Sequence, residues 1–306
     1  MPGLRGKVKS ALDESRMLVL GAQVLLGFQY RAFFEQAYDK LGSAERALQL
    51  AALFALLITI SSLFLIASRH RIVEKGRDTA RFHRFAMMLM RFVLFPFAIG
   101  LSFELAAAAY RIGGAWVGAA SGTLTLIAAF GFWYGPFAVR DRQQHQEPED
   151  AMEETSLEQR TVEVLTEARV LLPGAQALLG FQLAIVLMEA FERLPEPVKI
   201  VHLVSLGFVA LATIVLMAPA AYHRIVERGR DTERFHDFAS RMLLAALALL
   251  GPGFCGDLYV VLYRAGYPGA ALPIAAVALL VLYGAWFGAM FWLRHRRTTR
   301  LQMKPA

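Results

Sequence analysis

The stretch HRIVEKGRDTARFHRFA (residues 70–86) returns as HRIVERGRDTERFHDFA at residues 223–239, identical at fourteen of seventeen positions with no gap. The two copies stand 153 residues apart in a chain of 306. A second pair keeps that offset: ESRMLVLGAQVLLGFQ (14–29) matches EARVLLPGAQALLGFQ (167–182) at eleven of sixteen positions. Glu104 falls on Asp257, Gly100 on Gly253, Arg111 on Arg264, and Gly131–Gly135 on Gly284–Gly288. The chain therefore reads as one unit written twice, at 1–139 and 164–306, with a linker at 140–163.

Composition says what that unit is made of. Hydrophobic residues are 57% of the chain and charged ones 19%, with a mean hydropathy of +0.45, too apolar for an ordinary soluble domain. A membrane span needs about 20 mostly apolar residues, since a helix rises ~1.5 Å per residue across a core of ~30 Å. Ala47–Ala67, Ile112–Val139, Ile200–Tyr222 and Ala265–Leu293 meet this without an Asp, Glu, Lys or Arg. Met17–Tyr38, Phe85–Tyr110, Val170–Phe191 and Met242–Tyr263 meet it with isolated polar groups. The expected fold is an all-α membrane protein of eight transmembrane helices. Four spans per unit return the chain to its starting side, so the repeats are expected to be parallel, related by a pseudo-two-fold along the membrane normal.

Lys and Arg gather at the N-terminus, around both motif copies and in the tail RHRRTTRLQMK, and are sparse in the opposite loops. That asymmetry predicts a multi-pass inner-membrane protein with both termini and both motifs in the cytoplasm. The net charge of +7 is then a matter of topology rather than of nucleic-acid binding, and the basic tail is placed to attract anionic lipids. The polar N-terminus lacks the apolar core of a removable signal peptide. One cysteine, Cys255, excludes an intrachain disulfide.

Within each motif Gly76 or Gly229 is expected to end a helix, and Asp78 or Thr79 (Asp231 or Thr232) to cap the next. This makes a charged cytoplasmic hairpin of His70, Arg71, Glu74, Arg77, Asp78, Arg81 and His83. Its copy holds His223, Arg224, Glu227, Arg230, Asp231, Arg234 and His236. Acids and arginines within a turn of one another are expected to pair inside the hairpin. The two histidines of a copy lack the i,i+3 or i,i+4 spacing of ligands on one helix face, so no metal and no cofactor is expected. Inside the membrane, Glu104 and Asp257 follow helix breakers (Pro96 and Gly100; Pro252 and Gly253) and are the candidate proton or cation sites. Gln23, Gln29, Gln176 and Gln182 are candidates for a polar path. The glycine pairs Gly131/Gly135 and Gly284/Gly288 predict close helix contact. No phosphate loop, HExxH or nucleophile elbow occurs, and no enzymatic activity is expected.

ESRMLVLGAQVLLGFQ followed by HRIVEKGRD resembles a family of small bacterial four-span membrane proteins of unknown function, some of whose members are labelled sodium:proton antiporters. The resemblance covers nearly the whole chain as two units. It implies that single-unit members dimerise and that this chain is such a dimer fused. The leading functional expectation is movement of a small cation or proton along the interface of the two halves, with Glu104 and Asp257 as the titrating groups. The competing expectation is a non-transporting scaffold or stress-response protein that docks a cytoplasmic partner through its hairpins. Self-association into a homo-oligomer is a further expectation.

Overall fold

The computed structural model describes residues 4–140, 152–153, 156–228 and 230–302. Gly229, most of the linker and Lys304 of the basic tail lie outside the described residues. We number the long helices α1 (Leu4–Ala32), α2 (Ser43–Ile72), α3 (80–113), α4 (115–140), α5 (Leu157–Val186), α6 (Glu196–Ile225), α7 (Glu233–Arg264) and α8 (268–302). A two-residue strand β1 (Asp78–Thr79) pairs antiparallel with β2 (Met152–Glu153) from the linker. Six helical segments are long and apolar enough to cross a bilayer, and they mark a multi-pass membrane protein. One of them, Ala80–Tyr134, holds both α3 and most of α4; α1 is not among the six.

Local chemistry explains the boundaries. Helicity breaks between α3 and α4 at Gly114, whose φ of 78° and ψ of −170° belong to a region that only glycine enters easily. The chain folds back there: a Cβ on Gly118 would lie 3.0 Å from the Ala106 carbonyl, and one on Gly122 2.9 Å from the Ala106 Cβ. These glycines let the α3 and α4 backbones approach closely. Around Gly131 and Gly284, by contrast, a Cβ would meet nothing within 4 Å. The expected close contact at those positions is not made. Instead Gly284–Gly288 forms a π-helical turn inside α8, which directs Trp286 into α2, where its Nε1 donates to the Ser61 carbonyl at 2.9 Å.

The motif turns follow their helices as a left-handed cap. α2 gives way at Val73, three residues before Gly76; Lys75 and Gly76 then take φ of 54° and 74°, and the Gly76 N–H donates to the His70 carbonyl at 3.0 Å. Arg228 repeats the conformation of Lys75 with φ of 51°. Thr79 and Thr232 are the N-caps: each hydroxyl accepts from the backbone N–H three residues on, at 3.1 Å. The alternative cap Asp78 lies beside Thr79 in the β1–β2 pair.

In the first unit α1, α2 and α3 pack on one another; in the second α7 packs on α5, α6 and α8. The units join chiefly through α1 against α5, with α2 also touching α7 and α8. Small residues bring this seam together: Gly27 admits the Phe181 ring, Gly174 admits Gln23, and the Phe28 and Phe181 rings meet at 4.5 Å.

Candidate functional site

Two buried polar clusters stand out, one at the motif end of the bundle and one within the second unit. The motif cluster is organised by Glu167, on the first turns of α5 and only 3% exposed. Its carboxylate accepts from Arg71 Nε at 2.8 Å, faces His70 Nδ1 at 3.3 Å and lies 3.6 Å from Arg16. Glu74 accepts from Arg297 of α8 at 2.9 Å and from the Thr79 hydroxyl at 3.1 Å. Glu74 also lies 3.7 Å from Arg69 of its own hairpin, but the buried ions of the hairpin reach beyond it as well. Its arginine goes to α5 and its glutamate receives α8, so the charges join the two units. A carboxylate this deeply buried is stable only with such a full set of donors.

The second copy of the motif is not built into an equivalent cluster. Arg224, Arg230, Asp231 and Arg234 are exposed, Glu227 and His223 half-buried, and His223 lies 3.4 Å from Asp231. Ile225 is 78% exposed, whereas its counterpart Ile72 is 2% exposed. The residues that would complete the copy, Glu14 and Arg169, are exposed as well. Only His236 turns inward: it is buried, and its Nε2 would stand 3.1 Å from a Cβ on Gly76 of the other hairpin. In the first copy Arg77 and Arg81 are exposed and His83 half-buried. The same one-sidedness holds at the far end, where Arg264 binds Asp39 at 2.6 Å while the equivalent pair, Arg111 and Glu192, is exposed.

The intramembrane cluster centres on Asp257, 4% exposed on α7. Gln182 Nε2 donates to its Oδ2 at 2.6 Å, and His202 Nδ1 stands 3.7 Å from its Oδ1. His202 Nε2 lies 3.1 Å from the Gln182 carbonyl, which holds the ring in place. Tyr30 reaches over from the first unit, its hydroxyl 3.4 Å from the Phe254 carbonyl. Glu104 is not part of this group. It sits half-buried on α3, which packs on α1 and α2, whereas α7 packs chiefly within the second unit. The acids of the two units therefore do not converge.

The glutamines divide in the same way. Gln182 serves Asp257, Gln29 donates to the Gln49 carbonyl at 2.7 Å, Gln23 is buried against Gly174, and Gln176 is exposed. They do not line one path. Three participants escaped sequence reasoning. Glu167 and Arg16 lie inside the repeated ESR/EAR segment, and that recurrence was the available signal. His202 has Gln49 as its counterpart, so the repeat gave no signal for it.

With the geometry in view, the comparisons with known proteins fall into place. Residues 5–136 and 150–290 each match a family of unknown function, DUF6328. Matches over most of both halves define a tandem duplication of one family unit, and the chain belongs to that family. The family description carries no antiporter label. No curated protein and no solved structure gives a significant match.

Proposed function

We propose that the protein is a non-enzymatic, eight-span fused dimer of the family unit that handles protons or small cations at a single site in its second unit. The single observation that carries the reading is the Asp257–Gln182–His202 group. An ionisable pair held out of water inside membrane helices is costly and marks a functional site by default. Apart from Gln182, the polar side chains beside Asp257 are Ser205 and His202, whose Nδ1 at 3.7 Å from Oδ1 lies beyond direct bonding reach. One proton or one small cation between Asp257 and His202 satisfies both.

Support for the fused dimer comes from equivalent positions that touch each other, as a two-fold axis requires: Phe28 with Phe181, and Gln36 Nε2 with Glu189 Oε2 at 3.1 Å. Lys and Arg at the motif end favour a cytoplasmic location for that end in the inner membrane. The test is proton and sodium flux in proteoliposomes of the full chain. Asp257→Asn is expected to abolish flux and Glu104→Gln to leave it intact. Absence of flux from a folded wild type, or undiminished flux in Asp257→Asn, sinks the proposal.

A second reading, docking of a cytoplasmic partner, is favoured by the second hairpin, which presents Ile225 and Val226 beside Arg224 and Arg230. Reversing those arginines and following partner capture alongside flux separates the two readings.

A further inference from the structure

The motif cluster contains more polar atoms than its hydrogen bonds use. One ring nitrogen of His70, one carboxylate oxygen of Asp78 and one of Glu163 all lie within 4.8 Å of one another, and all three residues are buried. His70 is 0% and Glu163 8% exposed, yet His70 Nε2 and Glu163 Oε2 have no hydrogen-bond partner. Burial without a partner is expensive for such groups, and native interiors rarely tolerate it.

Three contributors arrive from three elements. His70 comes from the last turn of α2, Asp78 from β1, and Glu163 from the second turn of α5 across the unit boundary. Glu167, one helical turn after Glu163, faces His70 Nδ1. A carboxylate on one imidazole nitrogen orients the ring and leaves the other nitrogen free to coordinate, the usual support for a metal-bound histidine. Around this point the carboxylates of Asp78, Glu163 and Glu167 gather with the guanidiniums of Arg16 and Arg71.

We propose that His70, Asp78 and Glu163 form a site for a divalent transition metal, Mn2+ or Zn2+, that ties the first hairpin to α5. One imidazole with two carboxylates suits these borderline ions better than Ca2+ or a thiolate-seeking metal. Three ligands ~2.1 Å from one ion stand about 3.4–3.6 Å from one another, so even a triangle of side 4.8 Å closes on the ion when each ligand moves inward by about 0.7 Å. The second unit lacks the site. Ser10 occupies the position equivalent to Glu163, and His223 and Asp231 are not buried. The motif occurs twice, but the site occurs once.

Stoichiometry therefore tests the idea. The full chain, purified in detergent and stripped with a chelator, is titrated with Mn2+, the free ion being followed by its electron paramagnetic resonance. One ion per chain is expected, with an imidazole nitrogen coupling in the bound spectrum. Glu163→Gln and His70→Gln are each expected to weaken binding about tenfold or more, as is Glu167→Gln in its supporting role. His223→Gln is expected to bind like wild type, and circular dichroism checks the helicity of every variant. No binding at millimolar Mn2+ or Zn2+, two ions per chain, or a bound spectrum without nitrogen coupling overturns the proposal. The last of these needs only the wild type, so a variant that misfolds does not decide the matter.

Discussion

Glu167 and Glu14 occupy the same place in the two copies of the unit, and the structure assigns them opposite fates. Glu167 is buried and holds Arg71, His70 and Arg16; Glu14 is exposed. Replacing Glu167 by glutamine keeps the side-chain volume but strands the Arg71 guanidinium, whose side chain is 0% exposed. Breaking a buried pair by removing one partner costs about 3–5 kcal/mol, because the remaining charge loses its hydrogen-bonded counter-ion and gains no water. Glu14→Gln, a surface change, is expected to fall within about 0.5 kcal/mol of wild type. Measured as unfolding of the full chain in mixed detergent micelles, with chelator present, the two variants should differ by about 3 kcal/mol, more than a hundredfold in the unfolding constant. The repeat supplies its own control. If Glu14→Gln destabilises as much as Glu167→Gln, or if Glu167→Gln costs under about 1 kcal/mol, the one-sided packing argued here is wrong.

Two other predictions use the same design. Gly118→Ala brings a methyl group to 2.9 Å from the Tyr110 Cβ and 3.0 Å from the Ala106 carbonyl, and overpacking of this kind costs about 1–3 kcal/mol. Gly131→Ala enters open space and is expected to be neutral or to stabilise α4 by up to about 1 kcal/mol, the helix-propensity difference; the same micellar unfolding assay compares them. Trp286→Phe loses the bond to Ser61 and part of a fully buried side chain, and is expected to cost about 1–3 kcal/mol. Trp133→Phe, which alters a half-buried ring stacked on Phe97, should cost less than half as much in the same assay.

The architecture was legible where it depends on pattern alone. Hydrophobic runs located the helices, the 153-residue offset located the units, and Thr79 and Thr232 sit where capping chemistry wants a hydroxyl. What stayed hidden is which of two near-identical copies is used. The motif at 70–86 and its repeat carry almost the same residues, yet Ile72 is buried and Ile225 bare. Local sequence cannot separate them, because their surroundings differ through distant elements. Arg297 and Glu167 close on the first hairpin, whereas the position equivalent to Arg297 is Gln144. The close-packing glycines were misread for a related reason. Gly118 and Gly122 have the same spacing as Gly131 and Gly135, and the fold-back at Gly114 brings the first pair, but not Gly131, against α3.

The seam between α1 and α5 also sets a timetable for biosynthesis. Helix α1 is made before the other long helices described and, unlike them, is not within the six segments that are apolar enough to cross a bilayer by length and composition. Its packing partner lies 153 residues downstream, the separation of Gln36 from Glu189. At about 5–20 residues per second that is a wait of roughly 8–30 s. During it, a helix with Gln23 and Gln29 on a face destined for burial has only α2 and α3 to shield it. The nascent first unit is thus an insertion intermediate that must be held by the translocation machinery or by its own partial bundle until α5 is made. A chain truncated before α5 is the species in which α1 should be found outside the bilayer.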